Sequence, residues 1–108
     1  MTMIINDATY EQLLASSQIP VLIDFFASWC GPCQAMAPVI DELATAYADK
    51  VRIVKCNVEE SPMMSAKYGI RSIPSLFFFR DGEVVDRHVG ALSRAELKAK
   101  LDDLLQRQ

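Results

Sequence analysis

The stretch Ile23-Asp24-Phe25-Phe26-Ala27-Ser28-Trp29-Cys30-Gly31-Pro32-Cys33-Gln34 reads as an apolar strand running through a short turn into a helix, with two cysteines at the junction. Residues three apart near a helix start sit roughly 5 to 6 Å from each other, inside the Cα separation that a disulfide tolerates. Cys30 and Cys33 can therefore open and close a disulfide with little backbone movement. Gly31 and Pro32 suit a tight helix entry, because proline is tolerated in a first turn where its missing N–H would have had no partner. Free N–H groups and the positive end of the helix dipole favour a thiolate over a thiol, so Cys30 is the expected attacking sulfur. Cys33, one turn deeper, is the expected resolving thiol and the less accessible of the two.

The elements on either side follow from local signals. Met3–Ile5 is an edge-strand candidate (β1), followed by Asp7 as N-cap and by Tyr10, Leu13 and Leu14 at helical spacing. Residues 21–27 are nearly all apolar, as expected of a central strand (β2) covered on both faces, and Asp24 is the lone carboxylate in it. The helix after Cys33 carries Met36, Ile40, Leu43, Ala44 and Tyr47 on one face, with Pro38 inside it as an expected kink. Residues 51–58 form a third strand (β3); Ser61-Pro62 and Gly69 then bracket a short helix around 63–68. Residues 76–80 (β4) and Glu83–Val89 (β5) flank Asp81-Gly82, a type I′ hairpin signal that makes them antiparallel. Ser93 and Glu96 form a capping box opening the last helix, on which Leu97, Leu101, Leu104 and Leu105 share a face. This order, with right-handed crossovers, implies an α/β fold with helices on both faces of a mixed sheet.

A chain of 108 residues, 51% hydrophobic, suffices for one domain with its own core, so residues 1–108 read as a single domain without repeats or linkers. A net charge of −3 with no Lys/Arg cluster argues against a nucleic-acid partner. No leader pattern and no apolar run of membrane-spanning length is visible, so the expected location is the cytoplasm and no membrane role is expected, although a processed precursor would look the same. Three cysteines in a reducing compartment favour catalytic or metal chemistry over a structural disulfide framework.

Trp29-Cys30-Gly31-Pro32-Cys33 resembles the active site of the thioredoxins, and the resemblance spans essentially the whole chain: Asp24-Phe25, Ala37-Pro38, Lys55, Asn57, Tyr68-Gly69-Ile70-Arg71, Ile73-Pro74, Gly82 and Val89-Gly90-Ala91-Leu92 fall at matching places. The resemblance implies the strand order β1-β3-β2-β4-β5 with four flanking helices. It implies reduction of protein disulfides through a Cys30–Cys33 disulfide couple, with Gly31 and Pro32 tuning it towards the reducing end. It also implies no bound cofactor, electrons from NADPH through a separate thioredoxin reductase, and a monomer. By the same resemblance Lys55 partners Asp24, and Ile73-Pro74 is a cis peptide facing the cysteines. Trp29, Ile73, Pro74, Gly90 and Ala91 would then bind substrate, the Ile73 backbone pairing with an extended segment.

Other readings of the same residues stand beside these. Asp24 is either a carboxylate whose burial raises its pKa, ready to accept the Cys33 proton, or one satisfied by hydrogen bonds. Lys55 is either its partner or an ordinary snorkelling lysine. Cys56 and His88 would complete a Cys₃His zinc set by arithmetic, but at intervals unlike any usual finger, so no metal is expected. Cys56 reads more simply as a buried small hydrophobe, His88 as a solvated surface residue, and Met63-Met64 as helix packing. Phe26 where many thioredoxins have tryptophan, Gln34 where a basic residue is common, and Ser72 and Ser75 around Ile73-Pro74 bear on potential and partner choice. The runner-up function in the same fold is a disulfide-forming oxidase or isomerase; a binding module is the reading from another class.

Overall fold

Residues 1–107 are described by a computed structural model. Five strands form one sheet in the order β1-β3-β2-β4-β5: β1 is Met3–Ile5, β2 Val21–Phe26, β3 Arg52–Asn57, β4 Ser75–Arg80 and β5 Glu83–Val89. β3 lies parallel to both β1 and β2, whereas β4 is antiparallel to β2 and β5 to β4. The helices are α1 (Tyr10–Ser16), α2 (Gly31–Ala46), α3 (Pro62–Lys67) and α4 (Arg94–Gln106).

The alternation of side chains along β2 divides its apolar run between two cores. Leu22 joins Ile53, Leu76 and Phe78 against Met36, Ile40 and Leu43 of α2 and Leu97, Leu101 and Leu104 of α4. Val21, Ile23 and Phe25 face the other way, onto Tyr10 and Leu14 of α1 and Met64 of α3. Covering both faces leaves every residue of β2 but Phe26 buried, which is why the strand reads as a continuous apolar run. Asp24 lies inside that run at 0% exposure.

The hairpin turn and the start of the last helix form as their residues require. Asp81 and Gly82 take φ of 54° and 79°, the left-handed pair that a type I′ turn requires. The Ser93 hydroxyl accepts from the Glu96 N–H at 3.1 Å, and the Glu96 carboxylate accepts from the Ser93 N–H at 3.0 Å, closing the capping box. Helix α2 runs through Pro38 without interruption.

Three local expectations are corrected. β2 ends at Phe26, because the Ala27 carbonyl accepts from the Cys30 N–H to turn the chain into α2. β3 covers 52–57 only, since Val58 opens a 3₁₀ turn in which the Asn57 side chain accepts from the Glu59 N–H at 2.9 Å. Asp7 does not cap α1, whose preceding residue Thr9 makes no side-chain cap bond. Its carboxylate instead accepts from the N–H groups of Met63 (3.0 Å) and Met64 (2.8 Å), capping α3 from across the fold and relieving Ser61 of that task.

Candidate functional site

Cys30 occupies the N-cap position of α2 with extended backbone (φ −86°, ψ 112°), and Gly31-Pro32 form the first turn. The cap places its sulfur against the helix's free N–H groups, and Cys30 Sγ accepts from the Cys33 N–H at 3.2 Å. Spacing along the turn sets the two Cα atoms 5.3 Å apart, and the sulfurs are joined in a disulfide. Exposure does not separate the two cysteines as expected: Cys30 is 5% and Cys33 4% exposed, because Ala27, Phe26, Val58 and Ile73 close around both.

The loop before β4 meets this disulfide. Ile73-Pro74 is a cis peptide, and the Ile73 carbonyl oxygen lies 3.9 Å from Cys30 Sγ. The Pro74 carbonyl accepts from the Gly90 N–H at 2.8 Å, tying the end of β5 to the same place. Gly90 has φ 106°, a conformation that side chains rarely adopt. Pro74 is buried, Ile73 and Gly90 are half-buried, and Gly31, Pro32 and Ala91 are exposed. Trp29 stands out at 68% exposure. A tryptophan kept in water beside a disulfide lies available for contact with a second molecule.

β2, the strand that leads to the cysteines, carries a carboxylate in an unusual setting. Neither oxygen of Asp24 has a hydrogen-bond partner among the backbone and side-chain groups of the described residues. Burial pushes its pKa up to about 6, against an opposing pull from the Lys55 cation. Lys55 sits opposite Asp24 in the β2–β3 register and is half-buried, with its ammonium 4.4 Å from the centroid of the Phe26 ring. Gln34, where a cation was considered, turns its side-chain amide back to donate to the Ser28 carbonyl across the turn.

The remaining chemically capable side chains stand elsewhere. Cys56 is fully buried on the α1/α3 side of the sheet, 3.6 Å from Met64 Sδ, and burial raises its thiol pKa. His88 is half-buried on β5 rather than freely solvated. Among the described residues no group of three or more His, Cys, Asp or Glu side chains is placed to hold a metal ion, so the Cys₃His set is not assembled. Of the methionine pair only Met64 packs; Met63 is 68% exposed. No helix among the described residues is long and apolar enough to cross a membrane. The contact of Phe26 with Lys55 emerges only in the structure, although the place of Phe26 two residues after Asp24, on the same face of β2, is the signal for it in the chain.

A thioredoxin family model matches residues 1–103. The chain is 51% identical over 98 residues to thioredoxin 1 of Synechococcus elongatus, covering 91% of this chain and 92% of that protein. It is 50% identical over 93 residues to the thioredoxin of Haemophilus influenzae, covering 86% and 87%. With the chloroplastic M-type thioredoxin of Pisum sativum it shares 48% over 99 residues, 92% of this chain and 58% of the pea protein. With the disulfide at the head of α2, the cis peptide against it and these relatives together, the chain belongs to the thioredoxin family and is a thiol–disulfide oxidoreductase acting through Cys30 and Cys33.

Proposed function

We propose that the chain reduces disulfides of other proteins in the cytoplasm as a monomeric two-electron carrier, with residues 1–108 working as one domain; Gln108 lies outside the described residues. The observation that carries this reading is the disulfide at the N-terminus of α2, where dipole and free N–H groups stabilise a thiolate once the bond is open. In the dithiol form the Cys30 thiolate attacks one sulfur of the substrate disulfide. A Cys30–substrate mixed disulfide forms, and the other substrate sulfur leaves as a thiolate that takes a proton from water. Cys33 then loses its proton to Asp24, by way of water, and attacks Cys30 Sγ. The Cys30–Cys33 bond forms, the second substrate sulfur departs, and the substrate has gained the two electrons the pair has lost.

In this proposal Lys55 steadies the ionised Asp24, and Gly31 and Pro32 keep the couple reducing by leaving no histidine to stabilise the reduced form. Trp29, Ile73, Pro74, Gly90 and Ala91 make the rim on which an extended substrate segment lies, its backbone pairing with that of Ile73. The chain itself needs no bound cofactor. A thioredoxin reductase returns the dithiol with electrons from NADPH. Protein disulfides and that reductase are the partners, with neither nucleic acid nor membrane among them. The bacterial relatives support the cytoplasmic location, and the pea relative makes a plastid the alternative.

The test couples the chain to NADPH, a bacterial thioredoxin reductase and a disulfide-bonded protein, following absorbance at 340 nm. Expected is NADPH oxidation that depends on all three components and vanishes when Cys30 and Cys33 are both serine. NADPH oxidation that is unaffected by the double replacement contradicts the reading.

A further inference from the structure

Phe26 is the aromatic side chain beside the cysteines to which the exchange chemistry gives no part. It projects from the same face of β2 as Asp24, two residues earlier. It packs against the cluster of Ala27, Cys30 and Cys33, and its ring also receives the Lys55 ammonium at 4.4 Å, within the range over which a cation is drawn to a ring face.

The surroundings of Lys55 give that contact its meaning. Across the sheet the register runs Ile4, Lys55, Asp24, Leu76, His88. Ile4, on the far side of Lys55 from Asp24, is 55% exposed, so water is within reach of a long flexible stem there. From α2 comes one further charge, Asp41, which feels the Lys55 cation but is already engaged by the backbone N–H of Thr2 at 3.0 Å and by its hydroxyl. α4 presents Leu97 and Leu101 to this face, and β4 presents Leu76. Lys55 is thus the cation that acts on the buried carboxylate, and its ammonium rests against the ring of Phe26.

We propose that Phe26 is a positioning residue: its ring holds the Lys55 ammonium on the Asp24 side of β3 instead of releasing it past Ile4, and so sets how readily Asp24 takes the Cys33 proton. The seat of Lys55 stands on the contacts alone; the last step rests on the proposed role of Asp24.

The test is a ¹³C NMR titration of the Asp24 carboxyl in the intact oxidised chain, for wild type, Phe26→Leu and Phe26→Trp, and for Lys55→Met with and without Phe26→Leu. With the ring gone the cation drifts to water and stabilises the carboxylate less, so Phe26→Leu raises the midpoint by about half a pH unit. Phe26→Trp, which restores a ring, returns it to the wild-type value. Lys55→Met raises it as well, and adding Phe26→Leu then moves it no further. An unmoved midpoint in Phe26→Leu, or an equal rise when Lys55 is already methionine, overturns the proposal. Should Phe26→Leu fail to fold, Phe26→Met carries the same expectation. The pH profile of mixed-disulfide resolution separates the two layers: it shifts with the midpoint if both hold. A moving midpoint under a fixed profile overturns the last step together with the role of Asp24, leaving the seat of Lys55 intact.

Discussion

Cys33→Ser will turn the chain from a catalyst into a trap: turnover of a protein disulfide falls on the order of 10³-fold or more, and a covalent complex with substrate accumulates. The reason lies in the proposed division of labour along α2. Cys30, at the cap, keeps the free N–H groups and dipole that favour its thiolate, so the first exchange still proceeds. Serine at 33 cannot attack the mixed disulfide, and the complex waits for an external thiol. Cys30→Ser loses turnover to the same extent but captures nothing, because the remaining thiol lies inside the first turn of α2, away from the cap position where dipole and free N–H groups favour a thiolate. Nonreducing electrophoresis and intact mass distinguish the two. Trapping by Cys30→Ser instead would reverse the assignment of attacking and resolving sulfurs.

Asp24→Asn will act with opposite signs on stability and on rate. The folded pKa of Asp24 is raised from 3.8 to about 6, so the folded state binds this proton more tightly than the unfolded state does. Its relative stability is full below pH 3.8 and falls as pH rises through 6, above which the ionised carboxylate carries its whole burial cost. At 1.36 kcal/mol per unit, the cost at neutral pH is about 3 kcal/mol. Asparagine stays neutral, so the oxidised variant should gain about that much at pH 7 and almost nothing below pH 4, read from denaturant unfolding at both pH values. The same replacement removes the proposed proton acceptor for Cys33, and resolution of the mixed disulfide should slow by about 10²-fold. A gain in stability without loss of rate would leave Asp24 a buried liability without a part in the reaction.

These two expectations start from features the sequence displays, since Asp24 interrupts an apolar run and the cysteine spacing fits a helix start. What was legible is what depends on neighbours in the chain. The Asp81-Gly82 turn, the Ser93 and Glu96 capping box and the division of β2 between two faces each follow from residues a few positions apart. Strand order is different in kind: alternation assigns a residue to a face but names no neighbouring strand, so the order came from the family resemblance. The role of Asp7 is not legible in the chain because the groups it caps, Met63 and Met64, are distant in sequence and brought near only by the fold. Met63 and Met64 look alike in the chain, yet only one faces the core, and a helix of six residues shows too little periodicity to say which. Lys55 over Phe26 joins two strands whose pairing must be known before the contact can be seen.

Whether the Cys30–Cys33 couple donates electrons to protein disulfides is decided by its equilibrium potential. Equilibration with glutathione or dithiothreitol buffers can be followed through the fluorescence of Trp29, the only tryptophan, with thiols counted by alkylation. Electron donation to protein disulfides calls for a potential near the thioredoxin value of about −270 mV, a figure that belongs to the family and not to any geometry of this site. A potential of about −180 mV or higher, where disulfide isomerases and oxidants lie, would contradict the reductase and favour a chain that makes or reshuffles disulfides.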